Sequence, residues 1–214
     1  MSNNTSSFQT DMIYHLYNRA NGRERLFLTE DNYVFFLKKY QKYIHPVADT
    51  FCYCLMPNHF HFLIRIKSDK VLKEVFKEKI KLKKENLQGF QNLGGLISSF
   101  ISQQFSNFFN SYTKAFNKQQ GRNGSLFSPN FKRKEVNQEK YFRKLVHYIH
   151  YNPIAAGITD QYNWRYSSYP AIVSTNQTKI KKEEVIDYFQ DLENFIFCHK
   201  IPPAESGIDE IFKT

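Results

Sequence analysis

TFCYCLMPNHFHFLIRI, residues 50–66, is the stretch that decides the fold, because it joins two apolar runs across a very short break. The runs cover residues 50–55 and 59–66, and Met56-Pro57-Asn58 separates them. Apolar runs of strand length that are joined by a tight turn indicate an antiparallel β-hairpin. We therefore predict two neighbouring antiparallel strands at the centre of this region.

The second strand of this hairpin contains the motif His59-Phe60-His61. Side chains at positions i and i+2 of a strand lie on the same face, about 7 Å apart. We expect both imidazoles to emerge together, while four apolar side chains enter the core on the other face: Phe60, Phe62, Ile64 and Ile66. An HxH pair alone is weak evidence for a metal site, because pairs of histidines without a metal are common.

The chain before the hairpin predicts one strand and one helix. Residues 11–19 have apolar side chains on both faces, which is typical of a central strand, and Asn21-Gly22 ends it. Residues 30–44 repeat apolar side chains at helical spacing. The order up to residue 66 is therefore strand, helix, strand, strand.

The chain after the hairpin predicts mainly helices. We expect amphipathic helices over 96–116 and over 137–152, and Pro153 and Gly157 are expected to end the second one. Residues 121–134, between them, contain four basic residues with Gly and Pro and predict a loop or short ribbon near phosphates. A last amphipathic helix is expected over 183–200.

Residues 67–95 are rich in lysine and are expected to form an insertion. On a helix, five of these lysines form one stripe: Lys70, Lys73, Lys77, Lys81 and Lys84. Such a stripe is usually a solvated face, and the alternative is a surface that contacts phosphates. The predicted organisation is a flexible tail over 1–10, a domain over 11–170 and a C-terminal helical extension over 171–214.

Composition and charge limit the classes of function. The chain has 214 residues, 41% of them hydrophobic and 17% aromatic, which excludes wholesale disorder. Its 30 Lys and Arg exceed 20 Asp and Glu, a net charge of +10 that favours a polyanion, first of all nucleic acid, as partner.

The cysteines and the hydropathy indicate a cytoplasmic protein. The three cysteines form no CxxC pair, so neither a disulfide framework nor a zinc ribbon is predicted and a reducing compartment is expected. The N-terminal residues lack the pattern of a secretory signal, and no apolar run is long enough for a membrane span. We expect no membrane partner.

Tyr148 and Asn152 strengthen the evidence that the histidine motif belongs to a functional site. They lie four residues apart on a predicted helix and therefore share a face. Two neutral imidazoles and an amide oxygen can hold a divalent ion without neutralising it, which leaves its Lewis acidity for a phosphodiester. A tyrosine oxygen beside it can attack phosphorus and retain the product covalently.

Five segments, in order, resemble the single-tyrosine HUH transposase family, most closely its REP-associated tyrosine transposases. They are YHLYNR (14–19), MPNHFHFLI (56–64), GSLFSPNFK (124–132), YIHYNPIAAGI (148–158) and WRYSSY (164–169). The resemblance covers about residues 11–170. It implies a ferredoxin-like α/β sandwich (an α+β fold) with a central antiparallel sheet and helices packed on it.

The resemblance also implies a chemistry and its residues. His59 and His61 match the histidines that bind Mg²⁺ or Mn²⁺, Tyr148 matches the nucleophile, and Asn152 matches the position that completes the metal shell. His150 is either an auxiliary group for proton transfer or phosphate contact or a structural hydrogen-bonder. The implied reaction is nicking and rejoining of single-stranded DNA beside hairpins, in transposition, through a 5′-phosphotyrosine and a free 3′-OH.

Charge, together with position in the region that resembles the family, predicts seven residues that contact DNA. Three follow the first strand and four lie in the basic loop: Arg19, Arg23, Arg25, Arg122, Lys132, Arg133 and Lys134. Such side chains position phosphates.

Two other functions stay open at this point. One is a hairpin-binding protein, domesticated or catalytically silent, and the other is an unrelated phosphoesterase that uses the two histidines as acid and base. The sequence leaves the oligomeric state open between monomer and homodimer.

Overall fold

The computed structural model describes residues 7–83 and 93–203, and its centre is a four-stranded antiparallel sheet. The strands are β1 (Ile13–Arg19), β2 (Ala48–Met56), β3 (His59–Ile66) and β4 (Lys132–Glu135). They lie in the order β2-β3-β1-β4. The hairpin β2-β3 is confirmed, and β1 lies between two partners, as its two apolar faces predicted.

Seven helices surround the sheet in the described part of the chain. They are α1 (Glu30–Tyr43), α2 (Asp69–Lys83), α3 (Leu93–Gln120), α4 (Glu139–Ala155), α5 (Tyr169–Val173), α6 (Lys182–Tyr188) and α7 (Leu192–Cys198). The connections β1-α1-β2-β3, then helices, then β4 beside β1, are those of the ferredoxin-like α+β arrangement. The predicted fold class is confirmed.

The sheet separates two apolar cores. On one face, α1 and α3 pack against β1 and β3 around aromatic side chains such as Phe36, Phe62 and Phe108. On the other face, α4 and the three C-terminal helices pack against β2 around Phe51 and Phe142. Both cores contain fully buried aromatic rings, and the helix α4 is therefore held close to the face of β3 from which the histidines emerge.

The helix α4 runs three residues beyond Asn152, its predicted last residue, and ends at Ala155. Pro153 lies inside the helix, where its missing N–H removes only one bond of the last turn. Gly157, which was also predicted to end the helix, follows the C-cap Ala156 with a positive φ of 64°. The N–H of Gly157 donates to the carbonyl of Ile154, and the N–H of Ile158 donates to that of Pro153, which is the Schellman arrangement of a helix end.

The single C-terminal helix predicted over 183–200 is also wrong, because the structure has two short helices there. Gln190 has a φ of 75°, a left-handed conformation that no helix continues through. Asp191 then caps α7 by accepting a hydrogen bond from the backbone N–H of Asn194 at 2.7 Å. The apolar spacing runs on through the break, so periodicity alone did not detect it.

The two ends of the predicted domain need adjustment. Phe8, placed in the flexible tail by the sequence, is 3% exposed and stacks on Phe105 with ring centroids 4.9 Å apart. The packed chain therefore begins before residue 11, and residues 1–6 lie outside the described part. At the other end, Val185 and Phe195 belong to the core that α4 and β2 form, so the predicted extension shares a core with the domain.

The lysine-rich block forms the helix α2 over its first half. Its residue Leu72 is buried in the core with α3, on the sheet face away from the histidines. Lys73 pairs with Asp69 on the same helix. The side chains of Lys81 and Lys84, which belong to the predicted stripe, lie outside the described residues. Among the described helices, none is long and apolar enough to cross a membrane.

Candidate active site

The predicted chemical residues meet in one cleft between the sheet and α4. The cleft has a volume of about 570 Å³, within the usual range of small-molecule sites. Its lining comes from β1, β3, β4, α4 and three connecting segments. The walls include Tyr17, Arg19, Asn58, His59, His61, Ser128, Lys132, Tyr148 and Asn152. The four residues predicted for catalysis and metal binding are all present.

The two histidines lie side by side because they alternate with buried phenylalanines along β3. Their ring centroids are 5.2 Å apart and the rings are nearly perpendicular, at 83°. The neighbouring residue orients His59, whose Nδ1 lies 2.8 Å from Oδ1 of Asn58. An amide oxygen only accepts, and Oδ1 of Asn152 faces Nε2 at the longer distance of 3.5 Å, so the shorter contact favours the tautomer with the proton on Nδ1 and a lone pair on Nε2.

His61 is oriented by a residue that the sequence analysis missed. Nε2 of His15, on β1, lies 3.0 Å from Nδ1 of His61, and His15 is fully buried. One proton lies between the two nitrogens. When His61 donates it, Nε2 of His61 holds a lone pair, which is the tautomer that a metal ligand requires.

Asn152 completes the group from α4. Its Nδ2 donates to the backbone carbonyl of Tyr148 one turn earlier, at 2.8 Å. This bond directs the amide oxygen the other way, and Oδ1 lies 3.5 Å from Nε2 of His59. The spacing of four residues that suggested a common face therefore also produces the bond that orients the amide.

Burial keeps the imidazoles neutral. Desolvation, opposed in part by the Asn152 contact, lowers the pKa of His59. Desolvation, together with the neighbouring His59 and His15, lowers the pKa of His61 well below its usual value. Neutral imidazole is the form that binds metals, so the electrostatics of the cleft suit a ligand role at neutral pH.

The donor set fits a divalent ion through two imidazole nitrogens and one amide oxygen. In the described ranges, no group of three or more His, Cys, Asp or Glu is arranged to hold a metal. His59, His61 and Asn152, which line the cleft together, are residues that could hold one. Such a neutral set leaves the full charge of an ion for an anionic substrate, whereas a carboxylate cluster would reduce it.

Tyr148 lines the cleft beside this group. Its ring meets that of His61 edge to face, with centroids 5.7 Å apart. A second tyrosine, Tyr17, also lines the cleft and stacks on His61 at 6.0 Å. Tyr151, the other tyrosine of the YIHYNP segment, instead faces Tyr162 and does not line the cleft. The cleft thus contains two candidate nucleophiles, of which only Tyr148 shares a helix face with Asn152.

His150 lies on the far side of α4. It is 1% exposed, its Nε2 lies 2.8 Å from Oγ of Ser168, and its Nδ1 lies 3.1 Å from Nε2 of His199. Two positions along a helix turn the side chain by about 200°, which explains why it faces away from Tyr148. Of the two roles considered for His150, its surroundings are those of the structural hydrogen-bonder.

The seven predicted DNA contacts are only partly brought together. Arg19 and Lys132 line the cleft, and Arg23 and Arg25 line a second cavity beside it. Lys134 shares the sheet face of Lys132 but lies outside the cleft, with Nζ 4.9 Å from the centroid of Tyr141.

Arg122 and Arg133 have structural surroundings. Arg122 forms an ion pair with Glu24 at 2.8 Å and donates to Asn117 and to the carbonyl of Ser125, which fixes the loop. Arg133 pairs in register with Leu16 and so lies on the opposite sheet face, with its guanidinium 4.3 Å above the ring of Phe8. Burial lowers its pKa. Neither residue lines the cleft.

The loop before β4 forms one wall of the cleft. The N–H of Ser128 donates to the carbonyl of Arg19 at 2.9 Å, and Phe127 forms a bridge with Ala20. Asn18 also donates to the carbonyl of Ser128. The short ribbon predicted for residues 121–134 is confirmed, and these bonds show why its last part runs beside the end of β1.

The arrangement is a pair of histidines on a central antiparallel strand facing a tyrosine and an amide on one helix. The described fold that carries it is similar to that of a solved tyrosine transposase. That solved structure is described as a REP-associated tyrosine transposase bound to a REP hairpin. The similarity covers 82% of this chain and 87% of the other, with a TM-score of 0.50 and 16% sequence identity. At this identity the likeness concerns the fold.

No protein-family model and no curated protein sequence matches the chain. The resemblance that the five sequence segments indicated is thus supported by the comparison of folds.

Proposed function

We propose that the protein is a metal-dependent endonuclease and strand transferase that acts on single-stranded DNA at hairpins, as in DNA transposition. One observation carries the proposal: Tyr148, Asn152 and the imidazoles of His59 and His61 line the same cleft. The solved structure with the similar fold is described as bound to a REP hairpin, which supports a DNA hairpin as the partner. The net charge of +10 supports a polyanion.

In the proposed reaction, the phenolic oxygen of Tyr148 attacks the scissile phosphorus. The bond between phosphorus and the 3′-oxygen breaks, the phenolic proton passes to solvent in the open cleft, and the departing 3′-oxygen takes a proton from solvent. The product is a 5′-phosphotyrosine and a free 3′-OH, and attack by a 3′-OH reverses the step. Arg19 and Lys132, on the cleft walls, hold the flanking phosphates.

The metal site of the proposal consists of Nε2 of His59, Nε2 of His61 and Oδ1 of Asn152. Bound Mg²⁺ or Mn²⁺ supplies Lewis acidity that polarises the scissile phosphate. The chain's own contribution is to keep both imidazoles neutral and to fix the direction of each donor, through Asn58, His15 and the carbonyl of Tyr148.

The test uses a library of DNA hairpins with randomised single-stranded tails, incubated with the protein and Mn²⁺. We expect a protein–DNA adduct that survives a denaturing gel, from which the target can be sequenced. Tyr148→Phe should abolish the adduct. Tyr17→Phe, in the same cleft, and Tyr151→Phe, on the same helix, are the matched controls and should retain it.

Each other outcome selects a different function. An adduct that persists in Tyr148→Phe and is lost in Tyr17→Phe contradicts the assignment of Tyr148 as the nucleophile. Cleavage without any adduct favours the phosphoesterase with histidine acid and base. Hairpin binding with no cleavage in either Mg²⁺ or Mn²⁺ favours the silent binding protein.

A further inference from the structure

A second cavity adjoins the cleft on the other side of His59. It has a volume of about 370 Å³ and shares Asn58 and His59 with the cleft. Its remaining walls come from the loop after β1, the turn between β2 and β3, and the end of α4: Arg23, Glu24, Arg25, Met56, Pro57, Ala156 and Ile158. A single DNA strand that runs through the cleft could therefore continue past His59 into this second cavity.

The loop over residues 21–25 is tied at both ends to the turn of the β2-β3 hairpin. The N–H of Ala20 donates to the carbonyl of Asn58, and the N–H of Leu26 donates to that of Pro57, both at 2.7 Å. Two successive carbonyls of one turn thus hold the two ends of the loop. This anchoring keeps the arginine-bearing loop in place without help from a ligand, so the cavity is preformed.

The charge inside the cavity is positive. Among the described residues that line the cavity, Glu24 is the one carboxylate, and Arg122 pairs with it from outside the cavity at 2.8 Å. Arg23 and Arg25, on either side of Glu24, are exposed and line the cavity. Two guanidinium groups beside a compensated carboxylate favour an anion, and guanidinium groups match phosphate oxygens in particular.

The floor of the cavity is apolar. Met56 is 1% exposed beneath it, and Pro57 lies beside Met56 in the turn. Ile158 is 37% exposed, and the helix end at Gly157 fixes its position. An apolar floor with two arginines at the rim matches a nucleotide, whose sugar and base are less polar than its phosphate.

We propose that this cavity is a nucleotide subsite that holds the residue next to the scissile phosphate, on the side of His59 away from Tyr148. Arg23 and Arg25 contact its phosphates, and Pro57 and Ile158 contact its sugar or base. The proposal rests on the proposed function and adds the path of the DNA strand. The strand passes over His59, with the nucleotides on one side in the cleft and those on the other side in the second cavity.

The first experiment measures binding of a 15-nucleotide oligo(dT) in EDTA at several salt concentrations, with Tyr148→Phe protein. Each phosphate contact on a single strand contributes about 0.7 to the slope of log Kd against log salt. The additional double substitution Arg23→Ala with Arg25→Ala should lower the slope by about 1.4. Lys38→Ala with Lys42→Ala, two exposed lysines of α1, is the matched control and should leave the slope unchanged.

The second experiment locates the contact along the strand. Single methylphosphonates, which lack the phosphate charge, are placed in turn beside the cleavage position mapped with wild-type protein. A methylphosphonate one phosphate away from the scissile one should weaken DNA binding several-fold in Tyr148→Phe protein. The same methylphosphonate should not weaken binding further in Tyr148→Phe protein that lacks both arginines. Ile158→Asp, at the floor, should weaken binding to the same oligonucleotide by repelling phosphate.

The outcomes separate this proposal from the proposed function. An adduct that forms normally while both arginine substitutions leave the slope and the methylphosphonate pattern unchanged overturns the subsite alone. If no hairpin gives an adduct, the proposed reaction fails, and the slope with oligo(dT) still decides whether the two arginines contact a strand.

Discussion

Two groups of buried or partly buried histidines lie on either side of α4, and they differ in the partners of their ring nitrogens. Towards the sheet, His15, Asn58 and Asn152 orient His59 and His61, whose Nε2 atoms are the donors proposed for a metal. Towards the C-terminal helices, the protein itself engages all four ring nitrogens of His150 and His199. Burial alone therefore does not distinguish a chemical histidine from a structural one.

The structural group forms a directed chain of hydrogen bonds. The N–H of Tyr53 donates to Oγ of Ser168. The Ser168 hydroxyl lies 3.2 Å from the carbonyl of Tyr53 and 2.8 Å from Nε2 of His150, and we assign its one proton to the closer contact, with His150. Nδ1–H of His150 then donates to Nε2 of His199, and Nδ1–H of His199 donates to the carbonyl of Phe195. Every ring is neutral in this chain, which links β2, α4 and α7. The comparison predicts that changes on the sheet side alter chemistry and that changes on the other side alter stability.

The largest expected difference in the rate of adduct formation is between two histidine-to-glutamine substitutions, one in the histidine group on each side of α4. His61→Gln should reduce adduct formation in Mn²⁺ by more than about 100-fold, because it removes a donor of the proposed metal group. His150→Gln should keep the rate per folded molecule within a few-fold, because its amide retains a donor and an acceptor and lies away from the cleft.

The measurement is the rate of adduct formation on denaturing gels, with circular dichroism of both variants to show that each is folded. Similar losses in the two variants would contradict the division into a chemical and a structural group.

His15 offers a test within the sheet side itself. His15→Phe removes the acceptor for Nδ1–H of His61, and the tautomer with a lone pair on Nε2 then loses its support. We expect Mn²⁺ to bind about 10–100-fold more weakly in Tyr148→Phe protein that also carries this change. His15→Gln, whose amide oxygen accepts a hydrogen bond, should restore part of the affinity.

Isothermal titration with Mn²⁺ in the absence of DNA gives the affinities, and the NMR shifts of the His61 ring nitrogens report the tautomer. An unchanged affinity in His15→Phe would show that His15 only fills space.

The difference between these groups also marks what the sequence could predict. The alternation of a strand predicted that His59 and His61 share a face, and the spacing of a helix predicted the same for Tyr148 and Asn152. The resemblance implied the fold class, with which the order strand, helix, strand, strand agreed. The likeness to known segments brought the two pairs together, since they are almost ninety residues apart in the chain.

What the sequence missed depends on long-range register. His15 meets His61 only because β1 pairs with β3 so that Tyr17 lies opposite His61. Arg133 and Lys134 are neighbours on a strand and so point to opposite faces, and the pairing of β4 with β1 decides which face each one takes, whereas charge alone treated them as equivalent. The choice between the two roles of His150 has a local reason, because the turn of the helix directs it away from the cleft.

A third prediction concerns Ser168, the residue at which the chain of hydrogen bonds through His150 and His199 reaches β2. Ser168→Ala leaves both Nε2 of His150 and the N–H of Tyr53 without the hydroxyl that they share, in a fully buried place. Leaving buried polar groups without partners costs about 1–3 kcal/mol in the free energy of unfolding. Ser174→Ala, a half-buried serine that makes one bond within its own turn, is the control and should cost less.

Urea unfolding gives both values, and adduct formation per folded molecule should be unchanged in both variants. A Ser168→Ala protein as stable as the control would mean that the chain of bonds contributes nothing beyond packing.

The smallest and most selective effect is the pH dependence of stability. Burial lowers the pKa of His199 from 6.5 to about 3. Because the unfolded chain takes up this proton below pH 6.5 and the folded chain does not, stability is present above pH 6.5 and is lost as the pH falls towards 3. One such histidine changes the free energy of unfolding by about 1.4 kcal/mol per pH unit within that window.

His199→Phe removes this titration and keeps a ring of similar size, so it isolates the contribution of one proton. At pH 7 the variant should be less stable than wild type, because Nδ1–H of His150 loses its acceptor. The difference should shrink as the pH falls from 6 to 5, since only the wild type loses stability through His199. Phe197→His, which adds a histidine at a position 66% exposed on the same helix, should leave the pH dependence of wild type unchanged. A difference between wild type and His199→Phe that stays constant with pH would mean that His199 is protonated in the folded protein, and the neutral chain of hydrogen bonds would then be wrong.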